Sequence, residues 1–272
     1  MKARVDFLRQ YVVAIQFFTR VPVTGPLAQW AGFSPELLRA SAAHFPGVGW
    51  FVGAVACITF ALVGVLLQGS PFVPLAAAVA STMATLLLTG AFHEDGLADT
   101  ADGLGGSATR EQALAIMKDS RLGTYGVVAL LMVLLAKLAL LAVLDGQSAA
   151  AVLVALFAAH TISRFAPLMI VRQLAHVGDA DTSKSKPLAD RIGERELWIA
   201  AGWCVPPLLL AVAVVGPGFA LLATLAAAGA WWLMKRVFDR RLQGFTGDCL
   251  GATQQVCELA FYFGAAVGWA LG

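Results

Sequence analysis

Four carboxylates fall within nine residues of an otherwise apolar chain, in the stretch Phe92-His93-Glu94-Asp95-Gly96-Leu97-Ala98-Asp99-Thr100-Ala101-Asp102-Gly103-Leu104-Gly105-Gly106. Asp95, Asp99 and Asp102 are spaced i, i+4, i+7, so a helix through them points all three down one face. Three like charges stacked in this way repel one another and weaken the helix unless something positive sits among them. A hard divalent cation meets that need: it takes oxygen ligands and keeps an open side for a substrate phosphate. A solvated acidic helix end would alternate its charges or interleave lysine, and this face carries no lysine. Asp95, Asp99 and Asp102 are therefore read as metal ligands. Glu94 points about 100° away from the Asp95 direction and is left out of that set.

Basic groups follow closely. After Gly103, Gly105 and Gly106, residues 109–120 show an amphipathic pattern with Ala113, Ile116 and Met117 on one side, ending in Lys118-Asp119-Ser120-Arg121. Lys118 and Arg121 either neutralise a helix C-terminus or hold phosphate oxygens beside the metal. Their closeness to the acidic stretch favours phosphate. Further on, Gly244-Phe245-Thr246-Gly247-Asp248-Cys249-Leu250-Gly251-Ala252 leads into the last apolar run, where Thr246 or Asp248 is a helix cap or Asp248 is a ligand. Three ionisable groups fall inside apolar runs. His160 and Arg164 lie one turn apart, and Arg164 is read as a structural ion-pair partner or a substrate contact. Glu258 is read as the buried partner of Arg164 or of another cation, and Lys137 as a snorkelling side chain. A cation on the acidic face would clamp phosphate oxygens, and the basic groups would take the charge built on a leaving group. A carboxylate would accept a proton from an attacking hydroxyl. No Walker A loop, GxSxG, HExxH or CxxC is present, and no basic stripe of a nucleic-acid module.

The elements that must position these groups are membrane helices. The 272 residues are 59% hydrophobic and 13% charged, with a mean hydropathy of +0.76, far from the balance of a soluble domain. Seven stretches are long enough to span a bilayer, at about 48–68, 72–92, 124–144, 149–171, 197–215, 217–234 and 250–271. Pro206-Pro207 and Gly216-Pro217-Gly218 interrupt the fifth and sixth, which leaves a hairpin of short helices as an alternative. Val5 to Phe18 is apolar but too short, and reads as a helix at the interface or tucked against the bundle. It ends without a small-residue cleavage site, so no cleavable leader is expected. All Lys and Arg except Lys137 and Arg164 fall in the N-terminal segment or in the loops at 93–123, 172–196 and 235–249. The positive-inside rule then turns the N-terminus and these loops to the cytoplasm. The loop around Lys184-Ser185-Lys186-Pro187 and Arg191 reads as a basic surface over an anionic substrate. The four cysteines show no paired spacing, and Cys57 and Cys204, inside apolar runs, are read as small core residues. The expected fold is a single all-α polytopic membrane bundle of about seven transmembrane helices plus an N-terminal interfacial helix.

The segments Phe92 to Gly103, Met117 to Gly126 and Thr246 to Ala252, together with Phe18-Thr19-Arg20-Val21-Pro22-Val23 and Phe45-Pro46-Gly47-Val48-Gly49, resemble the bacterial cobalamin synthases over nearly the whole chain. The resemblance implies adenosylcobinamide-GDP ribazoletransferase activity with Mg2+ as cofactor. The hydroxyl of α-ribazole or of its 5′-phosphate would attack a phosphate of adenosylcobinamide-GDP, and GMP would leave. It implies catalytic roles for Asp95, Asp99, Asp102, Lys118, Arg121 and Asp248. It implies substrate contacts at Arg20, His93, Asp119, Thr124, Arg164, Thr246, Gly247 and Glu258. The expected partners are the two substrates, the lipid bilayer and other enzymes of the same pathway, in the cytoplasmic (inner) membrane. Two other readings compete. A CDP-alcohol phosphotransferase shares an Asp-rich interfacial helix, but its Asp-x-x-Asp-Gly-x-x-Ala-Arg signature is not met after Asp99. A transporter through His160, Arg164 and Glu258 lacks inverted repeats.

Overall fold

The computed structural model describes residues 2–178 and 192–271, which form helices with no β-strand among them. The basic run from Lys184 to Arg191 lies outside the described residues. At the N-terminus come α1 (Lys2–Phe18), α2 (Gly25–Ala31) and α3 (Pro35–Ser41), then a 3-10 turn that runs into α4 (Phe45–Leu66). Next follow α5 (Val73–Thr89), α6 (Phe92–Gly105), α7 (Arg110–Met117), α8 (Thr124–Gln147) and α9 (Ala149–Gln173). The chain closes with α10 (Glu194–Val214), α11 (Pro217–Leu242) and α12 (Gly247–Leu271).

Each of the seven apolar stretches is a helix. Five segments are long and apolar enough to cross a membrane by themselves: α3 with α4, α8, α9, α10 and α11. α5 passes that test only together with α6, from which it is bent by 90°. α12 is different in kind. It packs against α6, α8, α9 and α11, and buries Gln254, Gln255 and Glu258, polar groups that lipid would not accept but a protein surround can satisfy. α10 runs through Pro206-Pro207 without ending, so the fifth and sixth stretches are two full helices joined at Gly216. α11 also continues past residue 234 into the segment read as loop, because Phe238 and Leu242, one turn apart, are buried and carry the helix onward. α1 is tucked against the bundle: Phe7 and Tyr11 stack on Trp203, and the Tyr11 hydroxyl donates to Gly47 O at 3.1 Å.

The centre of the bundle holds charge. Lys137 of α8, 4% exposed, donates to Glu258 Oε1 of α12 at 2.6 Å. His160 Nδ1 of α9 lies 3.3 Å from the other carboxylate oxygen. Gln254 Nε2 donates to that same oxygen at 2.6 Å and to Ser163 Oγ at 3.0 Å, and the Tyr262 hydroxyl donates to Oε1 at 3.3 Å. Lys137 is therefore no snorkelling side chain, and it is the other cation that Glu258 was expected to find. Arg164 is buried as well, with Nη1 donating to His160 O at 2.7 Å and the guanidinium over the Phe45 ring at 5.7 Å.

Removing one member of a buried pair strands the other, at a cost of about 3–5 kcal/mol, whereas replacing both is far milder. Lys137→Met alone is expected to lower the thermal stability of the purified protein by that order. The double variant Lys137→Met/Glu258→Gln recovers most of the loss. A melt in which the double variant is as weak as the sum of the singles would refute the pairing.

Candidate active site

α6 begins at a sharp break. Gly90 closes α5 with φ +71°, and Ala91 follows with φ +58°, an uncommon left-handed conformation for a residue with a side chain. These two residues swing the chain through 90° and lay α6 across the bundle, where it meets α12. The meeting is close: a Cβ on Gly96 would sit 2.7 Å from Asp248 O, and one on Gly251 would sit 3.1 Å from His93 O. Only hydrogen at both positions lets the two backbones touch. The contact brings the backbone of Asp248 of α12 against Gly96 of α6, and Asp99, partly desolvated, also feels the negative charge of Asp248, Asp95 and Asp102.

The uncertainty between cap and ligand at the start of α12 resolves in favour of Thr246 as the cap. Its hydroxyl oxygen accepts the Cys249 N–H at 3.4 Å and its hydroxyl donates to Asp248 Oδ2 at 3.2 Å. Gly247 starts the helix and lines a small apolar cavity with His93 and Leu250. Asp248 is thus not the cap, and its backbone lies against Gly96 of α6.

Asp102 has another engagement. Its two oxygens accept the N–H groups of Gly123 at 2.7 Å and Gly126 at 2.8 Å, so it caps the N-terminus of α8 with a charge of the favourable sign. Among the described residues, no group of three His, Cys, Asp or Glu side chains is gathered so as to enclose a metal ion. Of the three aspartates expected as ligands, Asp102 is engaged by α8. The face is open, with Asp95 and Asp99 on α6 and Asp248 on α12. That donor set suits a small hard cation, which commonly takes one or two carboxylates and completes its shell with water and substrate phosphate.

The basic pair expected beside the metal is arranged otherwise. Arg121 is 88% exposed, and its Nε donates to Asp119 Oδ1 at 3.0 Å. The guanidinium pulls Asp119 down to about 2. The two residues satisfy each other in the loop. Lys118 is the C-cap residue of α7, and Thr124 is the exposed first residue of α8. His93 is buried, stacked on Phe45 at 5.7 Å and edge-on to Phe92 at 5.5 Å, with Nε2 lacking a hydrogen-bond partner. Arg164 and Glu258 belong to the buried network rather than to the acidic face. Arg20 lines a cleft shared with Asp95.

Two contributors escaped sequence reasoning. Gln255 Nε2 donates to Glu94 Oε1 at 2.9 Å, tying α12 to α6 beside the acidic face. Arg241 Nη2 donates to Leu104 O at 3.1 Å and Ser107 O at 2.8 Å, closing the C-terminal end of α6. Adjacent glutamines in an apolar run are a readable sign of a buried polar network, though not of its partner. The Arg241 contact leaves no signal in the sequence, since it is made to carbonyl groups.

A chain from Albidiferax ferrireducens described as adenosylcobinamide-GDP ribazoletransferase is 55% identical over 277 residues, covering 97% of this chain and 99% of that one. Chains of the same description from Polaromonas sp. JS666 and Leptothrix cholodnii are 54% and 44% identical, covering 96% and 98% of this chain and 98% of each relative. No solved structure matches. The family model described as cobalamin-5-phosphate synthase matches residues 10–266, which take in the acidic helix, its break from α5 and the Asp248 turn, and the chain belongs to that family.

Proposed function

We propose that the chain joins adenosylcobinamide-GDP to α-ribazole or α-ribazole 5′-phosphate, giving adenosylcobalamin or its 5′-phosphate and releasing GMP. The observation that carries this reading is the convergence of Asp95, Asp99 and Asp248 where α6 crosses α12, in a chain whose relatives carry that activity in their description. In the transfer, the ribazole hydroxyl oxygen bonds to the phosphorus on the cobinamide side of the diphosphate. The bond from that phosphorus to the bridging oxygen breaks, GMP keeps the bridging oxygen, and the hydroxyl proton passes to solvent.

One or two of Asp95, Asp99 and Asp248 would hold Mg2+, with water and substrate phosphate completing its shell. Bound there, the ion supplies Lewis-acid neutralisation of the diphosphate. The carboxylates themselves fix where the diphosphate lies, since an anion cannot approach that face without a cation between. Asp102 acts at one remove: it holds the start of α8 against α6 and so keeps the acidic face in place. The cytoplasmic membrane, with the N-terminus and acidic face turned to the cytoplasm, is the setting that the placement of Lys and Arg favours.

Purified protein in nanodiscs, given Mg2+, adenosylcobinamide-GDP and α-ribazole, is expected to form a corrinoid product and GMP in equal amounts. Absence of both would remove the transferase reading. Asp95→Ala and Asp99→Ala are each expected to lower turnover at least about 100-fold, about 2.7 kcal/mol of barrier, with an unchanged melting temperature. Near wild-type turnover of either at limiting Mg2+ would refute the ligand assignment. Asp102→Asn loses an acceptor for a backbone N–H and is expected to destabilise the fold by about 1–3 kcal/mol. It should therefore lower the melting temperature as well as the rate, and a pure rate effect would place Asp102 among the ligands instead.

A further inference from the structure

Arg20 is fixed by its backbone and open at its guanidinium. Its N–H donates to Leu88 O at 2.7 Å in the last turn of α5. The preceding Thr19 hydroxyl donates to Ile15 O at 2.7 Å and accepts the Val21 N–H at 3.2 Å, which ends α1 and turns the chain. The side chain then lies across Gly90. A Cβ on Gly90 would strike Nε and stand 3.0 Å from Cζ and Nη2, so a side chain there would push the exposed guanidinium out of this position. Among the described residues the guanidinium has no hydrogen-bond or ion-pair partner, in contrast to Arg121, which is occupied by Asp119. Arg20 and Asp95 line one open cleft, along with Gln16, Thr19, Thr89 and Phe92.

An uncommitted guanidinium offers a planar fork of donors that matches phosphate oxygens two at a time. We propose that Arg20 binds the diphosphate of the GDP-bearing substrate in this cleft, with Gly90 as the floor that lets it lie there. The assignment rests on the transferase reading for the identity of the substrate. The donor rather than the acceptor is indicated because Asp95 stands in the same cleft: an anion beside that carboxylate needs a cation shared with it. The anion neutralised there is the diphosphate at which the bond breaks. Arg20 then holds phosphate oxygens from its own side of the cleft, and the break between α5 and α6 becomes part of the substrate site.

The test uses the full chain in nanodiscs with Mg2+, reading GDP affinity by calorimetry and steady-state kinetics with α-ribazole, an acceptor that carries no phosphate. Arg20→Ala is expected to weaken GDP binding and raise KM for adenosylcobinamide-GDP by about 10- to 100-fold, the scale of charge-assisted hydrogen bonds, with KM for α-ribazole within about twofold. Arg20→Lys recovers this only in part, since an ammonium lacks the fork. Unchanged GDP affinity and donor KM in Arg20→Ala would overturn the proposal. So would an effect seen only with α-ribazole 5′-phosphate as acceptor. A wild type that binds GDP through Arg20 yet makes no GMP from the substrate pair would sink the transferase reading and keep the clamp. Turnover with GDP binding indifferent to Arg20 would do the reverse.

Discussion

Where α6 crosses α12, neither helix has room for a side chain at the point of contact, and most of the structure around the site is a consequence of that. Gly96 lies against the backbone of Asp248, and Gly251 lies against that of His93. Two helices so close have their adjoining side chains fixed in register, because a one-residue slip would bring a Cβ into a carbonyl. Asp248 is thereby set opposite the Asp95 and Asp99 turns of α6. For the crossing to exist at all, α6 must leave the direction of α5, which the left-handed pair Gly90 and Ala91 accomplishes. It must also be held at its far end. There the Asp102 carboxylate grips the start of α8, and Arg241 closes on the last carbonyls of α6.

The same crossing explains a charge in the middle of a hydrocarbon bundle. α12 is the common neighbour of α6, α8, α9 and α11, so a group on it reaches every part of the interior. A hydrogen-bonded path runs from Lys137 on α8 to Glu258, then to Gln254 and Gln255 on α12, and on to Glu94 on α6. Burying a carboxylate and an ammonium together is close to neutral for stability. What it contributes is orientation: few rotations of α12 satisfy Lys137 and Glu94 at once. The acid immediately before Asp95 thus serves the packing of α6, which accounts for its direction away from the face that Asp95 and Asp99 share.

The helices were legible in the sequence because apolar length in a chain this hydrophobic has few alternatives. Their ends were less so. α11 overran its apolar stretch on the strength of Phe238 and Leu242, two residues that count for little in a window average and for much in a packed core. The acidic face was legible from spacing, but spacing gives only directions along one helix. It could not show that Asp102 would be taken up by N–H groups of another helix, or that Asp248, remote in sequence, would come to the face. The expected phosphate site at Lys118 and Arg121 meets a competing contact for a similar reason. Proximity in sequence was read as proximity in space, while Asp119, between them, offered Arg121 a nearer partner. Arg164 and Glu258 were each recognisable as buried charges, but Lys137 was discounted for its place near a helix end.

An open acidic face also sets the order in which a site of this kind comes together. Asp95, Asp99 and Asp248 repel one another more than they can jointly relieve, since no three of them close around a single point. A cation held by one or two of them keeps most of its coordination positions for other oxygens, and a diphosphate supplies several at once. On the proposed function, cation and diphosphate are therefore each part of the other's binding site. The cation raises the affinity for the diphosphate by the same factor as the diphosphate raises that for the cation. A guanidinium across Gly90 adds to the second half of that pair without touching the first. On that reading the centre is assembled by its substrate, and the protein's part is to keep its carboxylates and one arginine apart: Arg20 lies across Gly90 at the break, and the Gly96–Gly251 crossing sets Asp248 on the opposite helix.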